Sequence, residues 1–216
     1  MAMNWPRRLP ELLADWRHLV RCDGWKVAAP RIGREIVSLP YRHLRFVVVT
    51  RDLQQPLPDL QAKVALQIRP FEHSDLDFVR RENLPSEANL CARRLEHGHY
   101  GLVACLEHRE HSASSVVGYA WAAMDLSLER VDLKLAPGEV MVTDAFTAPA
   151  CRGKGVQTAL ALARLRLLRD RGYKRVVAYI ETGNEPSLAV WRKVGAEVTA
   201  HLDFVRIGFW RRTRSW

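Results

Sequence analysis

The sequence predicts an α/β chain of the interleaved, α+β kind, preceded by a basic, tryptophan-bearing leader. Three observations carry this. Short apolar runs recur from about Leu66 onward, "ALQIRP" with alternation, and "YGLVACLEH" and "SVVGYAWAAMD" likewise read as strands. Segments with helical spacing, bounded by Pro, Ser and Gly, lie between them. One strand, "EVMVTDAFT" (139–147), runs through a glycine turn straight into a long apolar helix signal.

The chain has 216 residues, 48% of them hydrophobic and 26% charged, which suits one or two folded domains and not a disordered segment. Its longest apolar runs fall short of the roughly 20 residues of a membrane span. The first residues, "MAMNWPRRLPELLADWRHLV", have neither the apolar core nor the small-residue cleavage site of a secretory signal. Cys22, Cys91, Cys105 and Cys151 show no CxxC or CxxH spacing. Reduced thiols in a cytoplasmic protein, with no metal site, are therefore expected. A net charge of +9 favours anionic partners, namely phosphate-rich cofactors, nucleic acid, anionic lipid or an acidic carrier protein. A plain solvated surface explains it equally well.

In the leader, residues 1–62, Trp5, Leu9, Leu12, Leu13, Trp16, Leu19 and Val20 recur at helical spacing among charged residues. This predicts an amphipathic helix of about four turns. It is expected to pack on the rest of the chain, with a membrane surface or a partner as the alternative use of such a face. "LRFVVVTRDL" (44–53) reads as a strand that extends a sheet or pairs in a homodimer, and Pro56 and Pro58 mark a linker. Residues 63–216 then form the main domain. Ser74 with Asp77 has the form of a capping box opening a short helix, and Pro85-Ser86 opens a second that ends near His97-Gly98. The strands 100–108 and 115–125 follow around the turn "REHSAS". After 139–147 come a helix to about Arg171, a stop at Gly172, the strand "RVVAYI" and a short helix over 186–194 stopped by Gly195. "EVTAHL" and "FVRIGFWRR" are read as two last strands.

The turn "CRGKG" (151–155) carries the chemistry. A helix N-terminus presents unpaired N–H groups and a partial positive charge. Glycine lets the backbone approach and bend around an anion, and Arg152 and Lys154 add full charges. The turn suits a phosphate or diphosphate; an ordinary solvent loop is the competing reading. Neither common nucleotide loop fits. GxxxxGK[ST] is absent, and GxGxxG fails because position 158 is Thr158.

"APACRGKGVQTAL" resembles the acetyl-CoA-binding segment of GNAT-type N-acetyltransferases, whose pattern is Arg/Gln-x-x-Gly-x-Gly/Ala at the start of a helix after a strand. Arg152, Gly155 and Gln157 stand at those places. Gln157 replaces a small residue, where it either crowds the diphosphate or donates a hydrogen bond to it. A second segment, "NEPSLAVWRKVGAE", resembles the family's Asn-x-x-Ala/Ser-x-x-x-Tyr-x-x-x-Gly, with Asn184, Ser187, Trp191 and Gly195 in register. "LQIRPFEHSDLDFV" resembles its first strand and helix. The resemblance covers about 66–210 and leaves the leader outside.

This resemblance implies a mixed, mostly antiparallel sheet with helices on both faces, and two neighbouring strands that splay to admit pantetheine. Carried over, Ala145, Phe146 and Thr147 would hydrogen-bond the pantetheine amides. Arg152 and the backbone of Gly153, Lys154, Gly155, Val156, Gln157 and Thr158 would hold the diphosphate, and Asn184 would line the acetyl end. The implied activity is transfer of acetyl from acetyl-CoA to a primary amine of a small molecule or peptide, by direct attack in a ternary complex. The alternatives are a longer acyl group from CoA or an acidic carrier protein, and a CoA-binding module without turnover. Nucleic acid is not the expected partner.

Attack by an amine requires a neutral nitrogen, so a base or a water relay must take a proton. Glu139, at the start of its strand, and Asp144, within it, are the two candidates. The plain alternatives are a solvated Glu139 and an Asp144 paired with an arginine of the leader. The family's acid is the tyrosine of the second segment, replaced here by Trp191, whose indole N–H donates a hydrogen bond without being an acid near neutral pH. Tyr179 is either a substitute or an ordinary strand residue. Cys151 is read as a passive small residue beside the alternative of an acyl-cysteine, and His97, His99, His108 and His111 as surface histidines beside the alternative of a metal site.

Overall fold

A computed structural model describes residues 9–38, 41–107, 116–124, 126, 135–207 and 210–215. Two leader helices, α1 (Leu9–Asp23) and α2 (Trp25–Ser38), come first, then strand β1 (Tyr41–Asp52). β2 (Leu66–Pro70), α3 (Leu76–Glu82), α4 (Pro85–Glu96), β3 (Tyr100–Leu106), β4 (Val116–Ala123) and β5 (Glu139–Thr147) follow. Then come α5 (Val156–Asp170), β6 (Arg175–Glu181), α6 (Glu185–Lys193), β7 (Glu197–Ile207) and β8 (Trp210–Ser215).

The strands form one sheet in the order β2-β3-β4-β5-β6-β1-β7-β8. Every neighbouring pair is antiparallel except β5 and β6, as the mixed, mostly antiparallel expectation has it. Alternate residues of each central strand face opposite layers. On one face, α5 and α6 pack Ala161, Leu162, Leu165, Leu168, Leu188 and Trp191 against Val47, Val49, Val140, Val142, Val176 and Ala178. On the other, α3 and α4 pack Leu76, Phe78, Val79, Ala88 and Cys91 against Val103, Tyr119 and Trp121.

The leader is built into this sheet. β1 lies between β6 and β7, in register from Phe46↔Glu181 to Asp52↔Arg175 on one edge and from Tyr41↔Ile207 to Thr50↔Glu197 on the other. Val47, Val48 and Val49 are buried on both faces, which is why this segment reads as an uninterrupted apolar run. α1 also docks on the domain. The Asp15 carboxylate is fully buried and accepts from the Ser86 N–H in the first turn of α4 at 3.0 Å. A side chain from a distant helix thereby satisfies one of the orphan donors of α4. The periodicity of α2 is interrupted by Pro30 and was not legible as a second helix.

Two local readings are corrected. The capping box is formed by Glu72 and Asp75 rather than by Ser74 and Asp77. The Asp75 carboxylate takes two hydrogen bonds from Arg69, both 2.7 Å, and one from the Glu72 N–H at 2.8 Å. The last segment of the domain is one long strand to Ile207, with β8 beginning at Trp210. The turn "REHSAS", His108 and His111 lie outside the described residues.

Candidate functional site

The site forms where β5 leaves β6. The two strands pair only from Glu139↔Arg175 to Val142↔Ala178. Beyond that, β5 stays with β4 as far as Thr147, and β6 stays with β1 as far as Glu181, so the strands part from Thr143 onward. A β-bulge marks the parting. Trp121 faces Thr143 and Ala120 faces Ala145, which leaves Asp144 as the extra residue, at φ 27°. The Ala148 N–H donates to Val117 O at 2.9 Å, which sets the phase of the β4–β5 ladder. Alternation then turns the N–H and C=O groups of Ala145 and Thr147 away from β4, toward the gap.

The glycine turn stands at the end of β5. Gly153 and Gly155 take φ of 74° and 84°, the left-handed region that glycine enters without strain. Gly155 is the N-cap of α5, and among the described residues no side chain caps that terminus. A Cβ at Gly155 would stand 3.1 Å from the Ala62 Cα, and the Lys63 N–H donates to Lys154 O at 2.9 Å. The linker therefore passes against the turn. A Cβ at Gly153 would meet nothing within 4 Å. Arg152 and Lys154 are exposed, and Arg152 Nε donates to Thr147 O at 3.3 Å. Val156 and Thr158 are buried, so their part in an anion site would be played by the main chain.

Gln157 neither blocks this terminus nor points at it. Its Nε2 donates to Phe146 O at 2.6 Å and to Tyr119 O at 3.4 Å. Two turns along α5, Arg164 is 3% exposed, and its Nη1 donates to Trp121 O at 2.7 Å and Thr143 O at 3.3 Å. Its guanidinium lies 5.6 Å from the centre of the Trp191 ring. Burial lowers its pKa to about 10.

The two carboxylates read as bases are separated. Asp144 lies at the parting of the strands, where its Oδ2 accepts from the Nη1 of buried Arg94 at 2.5 Å. The arginine comes from α4, not from the leader. Glu139 lies five residues back, roughly 15 Å along the strand, and its oxygens take Ala136 N–H at 2.9 Å and Arg175 Nη1 at 3.2 Å. Tyr179 is half-buried, and burial followed by the charge of Glu139 pushes its hydroxyl up to about 12. Asn184 caps α6 by accepting from the Ser187 N–H at 3.3 Å. Gly195 ends the same helix at φ 79°, and Trp191 is buried beneath it. The helix caps account for Asn184 and Gly195 without a ligand. Cys151 is buried and unpaired. His97 is exposed and His99 buried, their rings 6.3 Å apart.

Sequence reasoning missed Arg164 and Arg94. The signal for Arg164 was present. It shares one helical stripe with Val156, Leu160, Ala161, Leu165 and Leu168, all buried, and an arginine on an inward stripe needs a reason. Arg94 had no comparable mark among the arginines of α4.

These groups fit a diphosphate joined to an amide-bearing arm. A helix start without a side-chain cap among the described residues, with two left-handed glycines and two exposed cations, adjoins a strand edge whose Ala145 and Thr147 groups turn toward the gap, Thr147 O already meeting Arg152 Nε.

The family described as "Acetyltransferase (GNAT) family" matches residues 65–196. A mycothiol acetyltransferase of Saccharomonospora viridis is 38% identical over 88 residues, covering 41% of this chain and 28% of that protein. One of Nocardioides sp. is 25% identical over 188 residues, covering 74% of this chain and 60% of that protein. The chain thus spans less than two thirds of the length of these relatives. Among solved structures, a GCN5-related N-acetyltransferase of Sphaerobacter thermophilus superposes with a TM-score of 0.55 at 17% identity, over 87% of this chain and 56% of that one.

Proposed function

The chain belongs to the acetyltransferase (GNAT) family, and on that footing we propose that it transfers an acetyl group from acetyl-CoA to a primary amine by direct attack within a ternary complex. The observation that carries the reading is the parting of β5 from β6 beside the uncapped N-terminus of α5. Arg152, Lys154 and the main chain from Gly153 to Thr158 would hold the diphosphate, and Ala145 and Thr147 would receive the pantetheine amides, without Phe146, whose carbonyl accepts from Gln157 Nε2. The bound thioester supplies an activated acetyl carbon. Asp144, half-exposed at the bulge, is the side-chain base or water anchor nearest the parting.

The name of the relatives puts mycothiol-type acceptors first among the amines to be tried, ahead of peptides and other small amines. Titration calorimetry with coenzyme A and acetyl-CoA, followed by an acceptor panel read by free-thiol release, tests the proposal. Absence of heat with either coenzyme would overturn it. Trp191, buried where the resemblance has a tyrosine, favours a second reading, a module that binds the coenzyme without turnover. Binding with no thiol release on any acceptor would select it.

A further inference from the structure

This inference rests on the acetyl-CoA reading above. We propose that Arg164 stabilises the thiolate released when the thioester is cleaved, supplying by charge what the resemblance assigns to a tyrosine hydroxyl.

Arg164 is 3% exposed, and among the described residues it faces no carboxylate. Its Nη1 is occupied by two carbonyl oxygens, and its Nε is buried with no acceptor among the described residues. A guanidinium has five N–H donors, and taking an uncompensated cation out of water is costly. The two carbonyl dipoles and the Trp191 ring offset part of that cost, and an anion arriving beside the guanidinium would offset more. The place is specific. Trp121 O and Thr143 O flank the bulge, one residue beyond the last β5–β6 pair, Val142↔Ala178. That is the inner end of the gap. Trp191, in the tyrosine's place, lies against the same guanidinium at 5.6 Å and has no proton to release near neutral pH. Even with its pKa held down to about 10, Arg164 is cationic there.

In the step considered, the acceptor nitrogen attacks the thioester carbonyl carbon and the C–N bond forms. The C–S bond then breaks with its electron pair on sulfur, and the nitrogen gives up its proton to Asp144 or water. Water later reprotonates the thiolate. Arg164 transfers no proton. It lowers the energy of charge developing on sulfur, an effect largest where water is excluded.

The test needs no acceptor. The thiol of coenzyme A bound to the protein is titrated by thiolate absorption, with the complex of desulfo-coenzyme A as the reference that cancels the protein's own cysteines. The bound thiol is expected to titrate at least about one unit below free coenzyme A measured in parallel, a tenfold preference for thiolate. Arg164→Gln should return it toward the free value, and Arg164→Lys should keep part of the shift. A bound thiol that titrates where the free one does, or a lowered value unchanged in Arg164→Gln, overturns the inference and leaves the cofactor reading intact. If Arg164→Gln does not fold, Arg164→Lys takes its place: a partial return toward the free value supports the inference, and a value unchanged from wild type overturns it. Failure of the wild type to bind coenzyme A at all overturns both.

Discussion

Gln157 and Arg164 stand seven residues apart on the sheet-facing side of α5. Each donates from a single amino group to two carbonyls that face one another across the β4–β5 ladder, Phe146 and Tyr119 for Gln157, Trp121 and Thr143 for Arg164. One pair lies on either side of the bulge at Asp144. A bulge disturbs its ladder and bends its strand, and two donors from one helix pin both flanks of the bend. The parting of β5 from β6 is thereby tied to α5, the helix whose N-terminus closes the glycine turn.

Gln157→Ala separates the two uses of that side chain. With its partners in the ladder, its loss should lower stability by about 1 kcal/mol, read by denaturant unfolding. Affinity for coenzyme A should change less than about threefold, since alanine is the small residue the family pattern carries. A large loss of affinity in calorimetry would mean that Gln157 faces the diphosphate instead.

The two glycines of the turn should differ. Gly153→Ala meets open space, so only the left-handed backbone opposes it, at about 1–2 kcal/mol. Gly155→Ala adds a close approach to the Ala62 backbone at 3.1 Å and should cost more. Gly155→Glu should also abolish coenzyme A binding by setting charge and bulk on the anion site. Equal stability of the two alanine variants would contradict the linker contact.

Between the carboxylates, position decides. Asp144→Asn should lower kcat by roughly a hundredfold, the scale of a lost general base, with coenzyme A affinity retained. Glu139→Gln should show the smaller loss of kcat, because its oxygens bind Ala136 and Arg175 at the closed end of the β5–β6 pairing. The reverse order in steady-state kinetics would transfer the role to Glu139.

Stability should fall in alkali through Cys91. Burial pushes this thiol from 9.0 up to about 12. Between those values the unfolded chain has lost the proton that the folded chain keeps, so the folded state is disfavoured progressively as pH rises from about 9 to about 12. Below that window the group contributes no pH dependence. The difference in unfolding free energy between wild type and Cys91→Ala, followed across this range, should shrink accordingly; a flat difference would show the thiol to be solvated.

A chain cut to residues 63–216 should not yield folded monomer. It would lose β1 and leave the edges of β6 and β7 open in the middle of the sheet, a strand vacancy prone to association. Gel filtration and far-UV circular dichroism of that fragment would show it. A stable monomer would establish residues 1–62 as a separable extension.

Much of this protein is local, and local physics is written in order along the chain. The alternation in β2, the short apolar runs of β3 to β6, the proline start of α4, the glycine stop after α5 and the strand–turn–helix unit around Arg152 follow from dihedral preference and periodicity, which act within a few residues. The sequence by itself therefore determined the elements of the sheet, the anion-seeking turn and the family resemblance. Only the tertiary structure decided that β1 sits between β6 and β7. A strand's apolar run states that it is buried, but not between which partners. It likewise decided that Arg94 holds Asp144, that Asp15 caps α4 and that Arg164 lies beneath the bulge. Those contacts join residues 43 to 71 positions apart, and their energies depend on burial and dielectric that exist only after the layers have closed.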